Sequence, residues 1–138
     1  MSSGREPAET AATTTIGRSS IGEAGENAAV AHLRARGWRL LERNARTRWG
    51  ELDVVALDGA TLVFVEVKAR KGAGQQVAEL ALESIGPRKR IQVRRLARAW
   101  LAVPTSPVGY REIRFDAIGV SVDASGRASA IRHLRAAF

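Results

Sequence analysis

The segment from Gly50 to Arg70, GELDVVALDGATLVFVEVKAR, constrains the fold of this chain more than any other. Two runs rich in β-branched residues, Gly50 to Leu57 and Thr61 to Lys68, flank Asp58-Gly59. An Asp-Gly pair between such runs is a strong hairpin signal, because both residues tolerate the positive φ of a tight turn. Successive strand residues point to opposite faces. Glu51, Asp53, Val55 and Leu57 therefore share one face, and Leu62, Phe64, Glu66 and Lys68 share one face of the next strand. Residues paired across a ladder point the same way. A two-residue loop at Asp58-Gly59 pairs Asp53 with Phe64 and Glu51 with Glu66; a four-residue loop pairs Asp53 directly with Glu66. Either even length sets Asp53, Glu66 and Lys68 on a common face, and a three-residue loop separates them.

Polar residues inside otherwise apolar strands need a reason. A buried lone carboxylate is costly, and two adjacent ones repel. A divalent cation relieves both problems: Mg²⁺ takes one or two carboxylates and keeps several waters for substrate and nucleophile. Lys68 can then reach the same water or a phosphate oxygen. A metal beside carboxylates and a lysine suits attack of water on a phosphodiester. The lysine itself is informative, because the chain has 19 arginines and only three lysines, Lys68, Lys71 and Lys89. A compact ammonium with an adjustable pKa does what a guanidinium cannot.

Around this hairpin, Gly22 to Arg36 reads as a helix ending at Gly37, with Glu26, Ala29, Val30 and Leu33 on one face. The carboxylate is the odd member of that face. Trp38 to Asn44 reads as a strand, and Val77 to Ser84 has the pattern of a short helix. Pro87 opens a longer helix, running to about Val103. Val93, Leu96, Ala97, Trp100 and Leu101 form its apolar stripe, opposite Arg88, Arg94, Arg95 and Arg98. Ile91 stands among those arginines. After a Thr105 to Gly109 loop come a strand, Tyr110 to Val122, a turn at Ala124 to Gly126 and a last strand. The order α-β-β-β-α-β-β predicts an α/β fold with a mixed central sheet flanked by helices.

The net charge of +8 is concentrated. Arg34 to Arg48 carries +5 and Arg88 to Arg98 carries +6, leaving the remainder net negative. Cationic segments beside acidic strands suit a phosphate polymer. Without cysteine, a disulfide scaffold and thiolate metal sites are excluded. His32 and His133 are too few and too far apart in sequence for a histidine-built metal centre, and both read as ordinary surface residues. No apolar run nears the roughly 20 residues that span a bilayer. Residues 1–20 read as a disordered leader without the apolar core of a signal peptide, and residues 21–138 as one domain.

The D…E-x-K arrangement resembles the PD-(D/E)-x-K nuclease superfamily. More closely, the body is similar to the YraN-type family of uncharacterised bacterial proteins, related to archaeal Holliday-junction resolvases. The matching pieces are G-E-x-A at Gly25 to Ala28, G-W-R-L-L-E-R-N-x-R at Gly37 to Arg46, G-E-L-D at Gly50 to Asp53, V-F-V-E-V-K-A-R at Val63 to Arg70, P-R-K at Pro87 to Lys89 and R-F-D at Arg114 to Asp116. The superfamily's P-D is L-D here, Leu52-Asp53. The resemblance implies a restriction-endonuclease-like fold, with Mg²⁺ or Mn²⁺ held by Asp53 and Glu66 and the water positioned by Lys68. Glu26 matches the acid that resolvase-like nucleases bring from their first helix.

These readings predict a cytoplasmic, metal-dependent endonuclease acting on DNA, branched or structured DNA included. Its catalytic residues are Asp53, Glu66, Lys68 and Glu26. Its nucleic-acid contacts are Arg46, Arg48, Arg70, Lys89, Arg94 and Arg98. The alternative is a nucleic-acid-binding module that keeps the fold without useful catalysis. No membrane is involved in either reading. A homodimer is left open, since resolvase-like relatives act as dimers and no dimer stripe stands out. Trp49 is a stacking candidate, whereas Trp38 and Trp100 belong to the core. Glu51 is expected to pair with Arg48, and Asp116 to be structural.

Overall fold

The computed structural model describes residues 18–103 and 109–138. Residues 1–17 of the expected leader and residues 104–108 of the expected loop lie outside the described residues. Helix α1, Arg18–Ala35, starts before Gly22, so Arg18, Ser19 and Ser20 are helical and not part of a leader. It ends at Gly37, whose φ of 86° is left-handed. The N–H groups of Gly37 and Trp38 donate to the carbonyls of Arg34 and Leu33. That pair of bonds closes a helix when glycine stands just past its end.

Strands β1 (Arg39–Thr47), β2 (Gly50–Asp58) and β3 (Thr61–Lys71) follow, then helices α2 (Gln75–Glu83) and α3 (Pro87–Leu101), then β4 (Glu112–Val122) and β5 (Ala128–Leu134). The order is thus α-β-β-β-α-α-β-β, correcting the predicted string by one helix. The addition is the short amphipathic stretch around Val77 to Ser84, which buries Ala78, Ala81 and Leu82. The five strands lie in the order β1-β2-β3-β4-β5. Only β3 and β4 pair in parallel. A parallel pair needs a long crossover, and α2 and α3 provide it.

The alternation of the hairpin fixes what each face buries. Val54 and Ala56 of β2, with Val63 and Val65 of β3, pack beneath Ala29, Val30 and Leu33 of α1. Val55, Leu62 and Phe64 face Val93, Leu96, Ala97 and Trp100 of α3. This is the predicted stripe, with Leu101 only half-buried. Phe64 and Trp100 meet edge to face, their centroids 5.7 Å apart. Each such large apolar side chain contributes about 1.5–3 kcal/mol by leaving water. Ile91 is 68% exposed on the arginine side of α3.

Gly119 marks where α2 crosses β4. A Cβ there would collide with the Ala78 carbonyl oxygen and stand 2.8 Å from the Leu82 nitrogen. Gly119→Ala is therefore expected to destabilise the protein by roughly 1–3 kcal/mol, as overpacking does. Urea unfolding measures this; an unchanged midpoint would mean that α2 lifts from the sheet at no cost.

Candidate functional site

The hairpin register places the two central carboxylates. Asp58 pairs with Thr61 around a Gly59-Ala60 turn, and the ladder runs back to Val54 opposite Val65. The register is even, as a common face requires, and is that of the four-residue loop tightened by one more pair. The next residues along are Asp53 and Glu66, at the point where β2 and β3 cease to pair. Regular alternation also breaks at Asp53, since Leu52 packs with the α3 cluster and Val54 beneath α1. With no ladder partner there, the N–H of Val67 donates to Asp53 Oδ2 at 2.8 Å.

Glu66 is buried, with 6% of its surface exposed, and Asp53 is half-buried. The two carboxyl groups are close enough that each shifts the titration of the other. Burial, then the charge of Asp53, pushes the Glu66 carboxyl up to about 8. Burial also raises Asp53, against the opposing Val67 hydrogen bond. Lys89, in the first turn of α3, reaches across so that its Nζ lies 3.6 Å from Glu66 Oε2. The structure therefore gathers Asp53, Glu66 and Lys89.

Glu26 approaches from α1. It lies 3.9 Å from the Arg43 guanidinium, and burial followed by the Asp53 charge raises its pKa. It is near enough to feel Asp53. Even so, among the described residues no three His, Cys, Asp or Glu side chains form a group that could hold a metal ion. Lys68 stands exposed two residues beyond Glu66. With Arg70, Ile21 and Gly22 it lines an open cleft of about 640 Å³.

Two neighbouring carboxyl groups are an oxygen donor set of the kind a hard divalent cation takes, one or two carboxylates with several waters kept. By donor type alone Asp53 and Glu66 are compatible with such a cation. The third carboxylate implied by the resemblance does not complete a cluster in this arrangement.

The expected phosphate contacts lie on β1, the β1–β2 turn, β3 and α3. Arg46 is 85% exposed at its side chain and pairs with Glu51 at 3.4 Å. Glu51 therefore takes Arg46 and not Arg48 as its partner, because directly opposed residues of β1 and β2 meet. Arg48 lies over the Trp49 ring at 4.8 Å, and Arg94 over Phe115 at 4.7 Å. Arg70 and Arg98 are exposed. Lys89, expected at a substrate phosphate, has a side chain 46% exposed and also pairs with Glu66. The sequence signal for that role was its rarity as a lysine.

Asp116, expected to be structural, is the centre of a second polar cluster. Asp116 is fully buried. It accepts from Arg114 Nε at 2.8 Å and Nη2 at 3.0 Å, and from the Ala136 N–H at 3.0 Å. His133 Nε2 is 2.9 Å away. Burial alone would raise the Asp116 pKa, but the His133 and Arg114 hydrogen bonds outweigh it and hold the carboxyl below its ordinary value. His32 Nε2 lies 3.3 Å from His133 Nδ1. The two histidines are therefore neither far apart nor ordinary surface groups, because the β4–β5 pairing brings the chain's end back against α1.

Among the described residues, no helix is long and apolar enough to cross a membrane. The model of the uncharacterised protein family UPF0102 matches residues 25–120. A UPF0102 protein of Magnetococcus marinus is 46% identical over 108 residues, covering 78% of this chain and 83% of its own. One from Mycolicibacterium smegmatis is 45% identical over 114 residues, covering 81% and 88%. A third, from Geobacter sulfurreducens, is 42% identical over 120 residues, covering 86% and 88%. The matched span contains Glu26, Asp53, Glu66, Lys68 and Lys89, and on these matches the chain belongs to the UPF0102 family.

Proposed function

We propose that this protein is a metal-dependent endonuclease that hydrolyses phosphodiester bonds in structured or branched DNA, on a sheet of restriction-endonuclease-like form. The observation that carries this reading is the neighbouring carboxyl groups Asp53, half-buried, and Glu66, buried, where the β2–β3 ladder ends. Asp53 and Glu66 would hold Mg²⁺ or Mn²⁺, which would supply positive charge at the scissile phosphate and make water more acidic. Lys68, exposed two residues beyond Glu66, is then free to orient the attacking water or a phosphate oxygen. The Val67 N–H fixes the Asp53 carboxylate, so this donor enters the reaction already oriented. Arg46, Arg48, Arg70, Arg94 and Arg98 are exposed cationic groups that would attract the DNA backbone.

The Lys89–Glu66 ion pair favours a second reading, in which the lysine stands permanently where a metal would act and the protein only binds nucleic acid. The test is cleavage of four-way and flapped DNA substrates in Mn²⁺ and in Mg²⁺, with chelator and with Asp53→Ala as controls. Cutting that needs the metal and disappears in Asp53→Ala is the expected result. Salt-sensitive binding without cutting of any substrate would replace the proposal with the binding module.

A further inference from the structure

Trp49 is 44% exposed at the turn between β1 and β2, yet it is held firmly. Its N–H donates to Thr47 Oγ1 at 3.1 Å, and the Thr47 hydroxyl donates to the Gly50 carbonyl at 2.8 Å. Its own carbonyl accepts from Gln92 Nε2 of α3 at 3.3 Å. Two guanidiniums lie against the indole, Arg95 at 4.0 Å and Arg48 at 4.8 Å from the ring centroid. A single exposed aromatic residue is ordinary. A turn pinned to a helix, with two guanidiniums over its exposed indole ring, is a preorganised stack of flat aromatic and cationic groups on which a base can lie. Proteins that hold unpaired strands use this combination, an aromatic face for the base and cations for the backbone.

The same two elements carry this surface and the carboxylates. Asp53 is four residues from Trp49 along β2, about 13 Å of extended chain. Arg95 is six residues beyond Lys89 along α3, about 9 Å of helix. Those spans correspond to roughly three or four stacked nucleotides at about 3.4 Å each.

We propose that Trp49, with Arg48 and Arg95, is a stacking platform for an unpaired base of the DNA, a few nucleotides from the Asp53–Glu66 pair. This inference rests on the nuclease reading and narrows its substrate class to DNA that offers a single-stranded segment beside the cut. A duplex keeps its bases within its own stack and gains nothing from the indole.

The test is binding in chelator, where no cleavage occurs. Short oligothymidylate is compared with a blunt duplex for wild type, Trp49→Ala and Trp49→Phe, by polarisation of labelled DNA and by tryptophan emission. Trp38 and Trp100 are buried, so quenching by oligothymidylate is expected to come from Trp49 and to vanish in Trp49→Phe. Trp49→Ala is expected to weaken oligothymidylate binding by about 5- to 100-fold, the range for loss of one base stack. Trp49→Phe should retain most of the affinity, and duplex binding should change by less than about twofold in either variant. Equal losses on both DNAs, or no loss on oligothymidylate, would overturn the platform. If Asp53-dependent cleavage persists beside that result, only the platform fails. If neither DNA binds and none is cut, the nuclease reading fails with it.

Discussion

Glu66→Gln is expected to make the protein more stable at pH 8 and above while removing its cleavage. The wild-type carboxyl titrates at about 8 because it is buried beside Asp53. A carboxyl whose folded pKa is raised binds its proton more tightly in the folded chain. Its contribution is fully present below the ordinary value of 4.5 and is lost as pH rises from there through about 8. Each pH unit in that window is worth roughly 1.4 kcal/mol for an isolated group. The opposing pull of Lys89 is already contained in that value, and the coupling to Asp53 spreads the titration over both groups, so roughly 2–4 kcal/mol is the expected gain when the amide replaces the charge. Urea unfolding at pH 5 and pH 8.5 reads it directly. The two proteins should be close at pH 5, and the variant more stable at pH 8.5. The same substitution removes a charged oxygen donor, and activity should fall about a hundredfold to a thousandfold, as when one charge-stabilising group is deleted. Equal stability at both pH values would mean that Lys89 and water already satisfy the wild-type carboxylate. Undiminished cleavage would remove Glu66 from the site.

Asp116→Ala is expected to have the largest effect on stability. The carboxylate is fully buried and receives Arg114, His133 and the Ala136 N–H together. Deleting it leaves the Arg114 guanidinium half-buried with Asp58 as its remaining acid, at 3.2 Å. Breaking a buried pair from one side costs about 3–5 kcal/mol, a large share of the roughly 5–15 kcal/mol that holds a domain together. The measurement is the urea midpoint at pH 7. Because the folded Asp116 pKa is depressed, its contribution is present above the ordinary carboxylate range. It fades as pH falls through the folded value, so the difference between wild type and variant should shrink in acid. A loss under about 1 kcal/mol would be typical of a solvated surface pair and would show that water takes over the role of Asp116.

The pieces legible in the sequence were those governed by local period. Alternation in β2 and β3 separates Val54 from Val55 and Val63 from Phe64, and those residues do divide between the two cores. Helical spacing in α3 picked out Val93, Leu96, Ala97 and Trp100. Asp53 and Glu66 were legible because both requirements, an apolar strand and a carboxylate, occur on one hairpin. Lys89 was not, since its partner lies across the crossover and no period links residue 89 to residue 66. The contact between His32 and His133 was hidden for the same reason, their separation of 101 residues being bridged only by the sheet. The Glu51 partner was misjudged because the β1–β2 register sets Arg46 opposite it. Helix α2 was legible as a short helix at Val77 to Ser84 though absent from the predicted element order, and its burial depends on Gly119 letting it approach β4.

A five-stranded open sheet leaves two edges, β1 and β5. Unprotected edges invite strands from other molecules and lead to aggregation. β1 carries the exposed arginines Arg39, Arg43 and Arg46, and its register slips between Leu40 and Glu42. β5 is seven residues long, with its Arg132 tied to Glu79 at 2.8 Å and a register shift opposite Ser121 and Val122. Each edge therefore combines charge with a break in the ladder, and neither presents a long regular row of free N–H and C=O groups. Part of the chain's arginine excess thus serves solubility, by repelling a second copy that approaches along β1.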